Sequence, residues 1–85
     1  MTERRSCTRS RVLRGAKLIV GTTSVLDCTV RDLTCVGARV RIPHALLLPE
    51  HMDLTLDQGR TLRACRTAWR TEEESGLQFV TRHNV

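Results

Sequence analysis

Val25-Leu26-Asp27-Cys28-Thr29-Val30-Arg31-Asp32-Leu33 and, after Thr34-Cys35-Val36, the run Gly37-Ala38-Arg39-Val40-Arg41-Ile42 decide the fold. In the first run Leu26, Cys28 and Val30 share one face, and Asp27, Thr29 and Arg31 share the other. In the second run Ala38, Val40 and Ile42 alternate with Arg39 and Arg41. Period two is the mark of a strand with one face buried and one wet. Pro43 stops the pattern, because proline cannot donate to a ladder.

The same period extends in both directions. Residues 12–20 form a first expected strand, with Ala16, Leu18 and Val20 alternating against Lys17 and Ile19, and Gly21-Thr22-Thr23-Ser24 reads as a turn. Downstream, Met52, Leu54 and Leu56 alternate with Asp53 and Thr55, and Asp57-Gln58-Gly59 reads as a hairpin turn. Residues 62–70 follow, with Cys65, Thr67 and Trp69 expected inward. Residues 71–76 read as an acidic, solvated turn, and Leu77 and Phe79 close the set. Between Pro43 and Pro49, Leu46-Leu47-Leu48 suggests one helical turn or an irregular plug over an open end of the sheet. Six short strands joined by tight turns, with no long helical period, indicate an all-β barrel or sandwich. Closure into a barrel removes the exposed edges that a small sheet cannot afford to leave open.

The chain has 85 residues and a formal net charge of +5. That length makes one domain with a modest core. The positive excess sits in the first seventeen residues, where Arg4, Arg5, Arg9, Arg11, Arg14 and Lys17 stand against Glu3 alone. The rest is neutral in balance. Residues 1–11 are therefore expected to be a flexible basic arm, and residues 12–85 a single barrel domain. A neutral body with a basic arm points to an anionic partner met at one end.

The four cysteines, Cys7, Cys28, Cys35 and Cys65, show no paired-knuckle spacing. No secretory signal or membrane span is legible, so a cytoplasmic location and reduced thiols are expected. Cys28 and Cys65 lie in apolar alternations and read as small core residues. No spacing supports a zinc site with His44, His51 or His83, and no metal or cofactor is expected. No nucleophile elbow, zinc-protease motif or P-loop is present, which weighs against an enzyme.

Two short motifs join the arm to the body. Arg5-Ser6-Cys7-Thr8-Arg9 gives R-x-x-x-R before the first strand, and Asp32-Leu33-Thr34-Cys35-Val36-Gly37 gives D-x-T-x-x-G between the second and third. The pair resembles the two signature motifs of PilZ domains, bacterial receptors for cyclic diguanylate (c-di-GMP), whose pattern is R-x-x-x-R followed by D/N-x-S-x-x-G. The segments 28–33, 37–40, 65–70 and 76–79 resemble the family's strands as well. The resemblance implies a six-stranded antiparallel PilZ-like split barrel, here with little or no C-terminal helix. It implies a c-di-GMP site at Arg5, Arg9, Asp32, Thr34 and Gly37. Arg4, which precedes the first motif, is an expected additional phosphate contact, as is one of the outward-facing Arg31, Arg39 and Arg41 near the second, Arg39 foremost. It also implies output to a downstream protein partner through ordering of the arm.

The residue chemistry suits that ligand. Guanidinium groups bind phosphate through paired, charge-assisted hydrogen bonds and stack on planar bases. A carboxylate such as Asp32 accepts from a guanine N–H edge, Thr34 offers a hydroxyl, and Gly37 permits positive φ or close approach of backbone to ligand. Thr34 stands where the family has serine, keeping the hydroxyl but adding a methyl group that restricts χ1. Two alternatives remain open at this point. One is a PilZ-like adaptor with a degenerate site that does not bind the nucleotide. The other is a small basic barrel for nucleic acid, which the scarcity of aromatics disfavours: one Trp and one Phe in the chain, both read as inward.

Overall fold

A computed structural model describes residues 10–80, with Ser10 described by its backbone alone. Six strands form in chain order: β1 (Ser10–Val20), β2 (Ser24–Leu33), β3 (Gly37–Arg41), β4 (His51–Thr55), β5 (Arg63–Arg70) and β6 (Glu74–Phe79). They close into an antiparallel barrel in the order β1-β2-β3-β6-β5-β4. The ring is completed where β1 meets β4, through Lys17 opposite Thr55, Leu18 opposite Leu54 and Ile19 opposite Asp53. The all-β, six-stranded barrel expected from the sequence is thus the observed fold. Its pairing takes in Ser10 and Arg11, the last two residues allotted to the arm, opposite Leu33 and Asp32.

The alternating residues fill the barrel. Leu18, Val30, Val40 and Leu54 are wholly buried, joined by Cys28, Ala38, Ile42, Met52, Cys65 and Leu77. Each large aliphatic side chain removed from water in this way stabilises the fold by about 1.5–3 kcal/mol. The segment between the two prolines is the expected plug. A 3-10 turn at Ala45–Leu47 turns Ala45 inward, and Leu48 follows it into the core. The plug is tied to the β5–β6 turn, since Ala45 N–H donates to the Glu72 carbonyl at 3.0 Å and Ile42 N–H to that of Glu73 at 2.9 Å.

Two expected turns are revised. The connection between β4 and β5 runs over residues 56–62 and is longer than a tight hairpin. Within it the Thr61 backbone N–H donates to Asp57 at 2.8 Å and, with help from Thr55, holds the Asp57 carboxyl below its ordinary pKa. The acidic turn shrinks to residues 71–73, and Glu74, Ser75 and Gly76 are strand. Thr71 makes this possible. Its N–H donates to the Glu74 carbonyl, and its hydroxyl accepts from the Glu74 N–H at 3.1 Å. The glutamates also find partners where a solvated run was expected: Glu73 pairs with Arg41 and Glu74 with Arg39.

Candidate functional site

The second motif is a tight turn that organises itself. Thr34 N–H donates to the Gly37 carbonyl at 2.9 Å. The Thr34 hydroxyl oxygen accepts from the N–H groups of Val36 and Gly37, each at 3.1 Å. Threonine in place of serine therefore keeps the oxygen that shapes the turn. Replacing Thr34 with valine is expected to destabilise the domain by about 1–2 kcal/mol, the cost of removing the acceptor from two backbone donors. Thr34→Ser is expected to stay within ~0.5 kcal/mol of the parent. Chemical denaturation checks both; a larger loss in Thr34→Ser than in Thr34→Val would show that the methyl, not the hydroxyl, matters.

Gly37 is required by the fold itself. It does not adopt positive φ; among the described glycines only Gly21 and Gly59 do. Instead it pairs with Gln78 of β6, and a Cβ at this position would overlap the Leu77 carbonyl oxygen. The close approach is to the protein's own backbone.

Two bulges then change which side chains face outward. In the β2–β3 ladder Val30 pairs with Val40, but Asp32 pairs with Arg39, so Arg31 is an extra residue. A residue inserted in this way shifts the alternation of one strand against its neighbour. Strict alternation would put Asp32 on the Val30 face; the bulge sets it beside Arg39. The β5–β6 ladder does the same at Ala68, between Thr67 opposite Leu77 and Trp69 opposite Gly76. This corrects the expected inward Trp69, which is 44% exposed. Its indole lies against Gly76, where a Cβ would collide with the ring.

The register lines these residues up. Arg11 of β1 lies opposite Asp32, Asp32 opposite Arg39, Arg39 opposite Gly76, and Gly76 opposite Trp69. One row thus crosses five strands, ending in an indole and beginning two residues after Arg9. Within it Arg39 bridges two carboxylates. Its Nε donates to Asp32 at 2.5 Å, and its Nη1 donates to both oxygens of Glu74 at 3.0 and 3.1 Å. The hydrogen bond to Asp32, with Glu74 adding to it, raises the Arg39 pKa further and fixes its charge. Asp32 is buried, and the ion pair compensates a carboxylate that would otherwise be costly to withdraw from water. Asp32, Thr34, Gly37, Arg39, Trp69 and Gly76 line one depression of about 460 Å³, within the range of small-molecule sites. A larger depression of about 590 Å³, lined by Ile19, His51, Asp53 and Arg66 among others, lies across β1, β4 and β5, away from residues 32–37.

The sequence pattern of the PilZ domain family matches residues 3–84. The chain belongs to the PilZ domain family. No curated protein matches it. PilZ domains are a family of c-di-GMP receptors, binding and adaptor domains as opposed to enzymes. In this PilZ domain the second-motif residues Asp32, Thr34 and Gly37 are gathered on one rim with Arg39. Arg4, Arg5 and Arg9 lie outside the described residues, as does His83. Among the described residues no three His, Cys, Asp or Glu side chains group as a metal site, and no helix is long and apolar enough to cross a membrane. Trp69 is the site residue that sequence reading missed. The glycine opposite it on the neighbouring strand, Gly76, was the available signal, since a glycine opposite a large aromatic leaves room for the ring to lie across the sheet.

Proposed function

We propose that this PilZ domain binds c-di-GMP over the row from Asp32 to Trp69, with Arg5 and Arg9 closing on the ligand's phosphates. The row carries the reading. It sets a fixed carboxylate–guanidinium pair, a turn with a short hydroxyl side chain, and an exposed indole side by side, next to the strand that the arginine motif precedes. Each matches a part of the ligand. The arginines meet the two phosphates as bidentate donors. The Trp69 ring offers a flat apolar surface for a guanine. Arg39, held by Asp32 and Glu74, presents a cation of fixed position to an anionic ligand.

Binding orders the arm, and the ordered arm presents a new surface to a downstream protein; this is an order–disorder switch of the kind other signalling domains use. Ordering costs conformational entropy, which the phosphate contacts offset. A bound nucleic acid strand is the weaker reading, because the outward turn of Trp69 supplies a single stacking platform where single-strand readers use several. An NMR titration with c-di-GMP tests the site. The amides of residues 32–37 and the Trp69 indole N–H are expected to shift together and saturate. Shifts confined to the β1–β4–β5 depression, or none at all, would reject it.

A further inference from the structure

The plug between β3 and β4 holds two leucines out of the barrel it closes. Leu46 is 55% exposed and Leu47 is 81% exposed. Neither is left out by looseness. His44 enters the turn with a φ of 60°, a left-handed conformation that a residue other than glycine keeps only where its surroundings hold it. Ala45 and Leu48, on either side of the pair, are buried, and the Ala45 N–H is bonded to the Glu72 carbonyl. The Arg70 Nε donates to the Leu48 carbonyl at 2.9 Å. The fold thus presents a fixed apolar knuckle with a depression on each side. One, of about 450 Å³, is lined by Val20, Leu26, Ile42, Leu47 and Leu48 among others. The other, of about 420 Å³, is lined by Pro43, Leu46, Leu47, Glu72 and Glu73 among others. Leu47 lines both. Neither shares a residue with the depression along the row from Asp32 to Trp69, nor with the 34–37 turn, where Cys35 is disulfide-bonded against the expectation of reduced thiols.

The charges around the knuckle give the sign of its partner. Among the described residues, the charged groups that line the two depressions are Asp27, Glu72 and Glu73, and no Lys or Arg lines either. Asp27 is paired with Lys17 and Glu73 with Arg41, whereas no ion pair among the described residues engages Glu72. We propose that the knuckle docks a basic amphipathic helix of a partner protein. Contiguous exposed apolar surface with a polar rim marks an interaction site. An amphipathic helix carries its anchors at i, i+4 and i+7 along one face. Two such anchors can seat on either side of Leu47 while a neighbouring Lys or Arg meets Glu72. The plug is already ordered, so docking costs little conformational entropy on this side of the interface.

This surface does not rest on nucleotide binding. The test is run without c-di-GMP, so its outcome is separate from that of the nucleotide reading. The full chain is titrated by NMR with a Leu/Lys peptide patterned as an amphipathic helix, and with a counterpart carrying Glu for every Lys. The chain's net charge of +5 favours the acidic peptide, so a preference for the basic one reports the local surface. The amides of residues 44–48, 72 and 73 are expected to shift with the basic peptide. Leu47→Ser, at an exposed position, is expected to leave the barrel's spectrum intact and to weaken binding about tenfold. Glu72→Lys is expected to weaken binding of the basic peptide about threefold and to improve that of the acidic one. Absence of binding, shifts centred elsewhere, a preference for the acidic peptide in the parent chain, or parental affinity in Leu47→Ser overturns the proposal. Sedimentation tests the other occupant. A dimer that Leu47→Ser dissolves would show a second copy of the chain on the knuckle and overturn the proposal; a monomer with the expected shifts upholds it.

Discussion

Arg9→Ala is expected to weaken c-di-GMP binding by about a hundredfold. A charge-assisted hydrogen bond is worth about 1.5–3 kcal/mol, and each 1.4 kcal/mol is a factor of about ten. Arg9 directly precedes Ser10, the first residue of the barrel ladder, so it is the motif arginine nearest the row. The charge alone does not account for the expected loss. Arg9→Lys keeps the charge but gives up the planar fork, and is expected to recover only part of the affinity, to within roughly tenfold of wild type. Calorimetric titration of the two variants checks this, with circular dichroism confirming an unchanged barrel. Wild-type affinity in Arg9→Ala would remove the arginine motif from the site.

Gly37→Ala is expected to cost about 3 kcal/mol of folding stability, through forced overpacking. The new methyl group would run into the Leu77 carbonyl, a backbone atom that can yield only if β3 and β6 separate. Those strands are joined by five consecutive pairings, from Gly37 opposite Gln78 to Arg41 opposite Glu74, so little can give locally. For a domain of this size 1 kcal/mol moves the thermal midpoint by roughly 4–8 °C, and a drop of about 12–24 °C is expected by differential scanning calorimetry. A midpoint within ~2 °C of wild type would mean that the approach is looser than described. The comparison matters for the motif. A glycine expected to make room for a ligand is already required by the strand beside it, so lost binding in this variant reports first on the fold.

Most of the barrel was legible because its inward residues obey period two between bulges. Leu18, Val30, Val40, Leu54 and Cys65 were each placed inward by alternation and are buried. Alternation failed at Trp69. An extra residue, Ala68, shifts β5 by one position against β6, and alanine does not mark a bulge. Glu74 was misread because its partner is distant in sequence. The pairing with Arg39 spans 35 positions, and nothing local distinguishes a paired glutamate from a solvated one. The plug was legible from its brackets, Pro43 and Pro49, which exclude a strand between them.

The closed ring also limits how this domain can speak to another protein. Many small β domains recruit peptides by adding a strand to an open margin, where main-chain groups provide affinity and sequence matters little. Here β1 meets β4 and the circuit is completed through Lys17, Leu18 and Ile19, which narrows that route. A reader of this domain then relies on outward side chains, and its contacts are specific ones. Recognition of that kind is open to disruption by single surface substitutions, and a generic extended peptide would not compete for it.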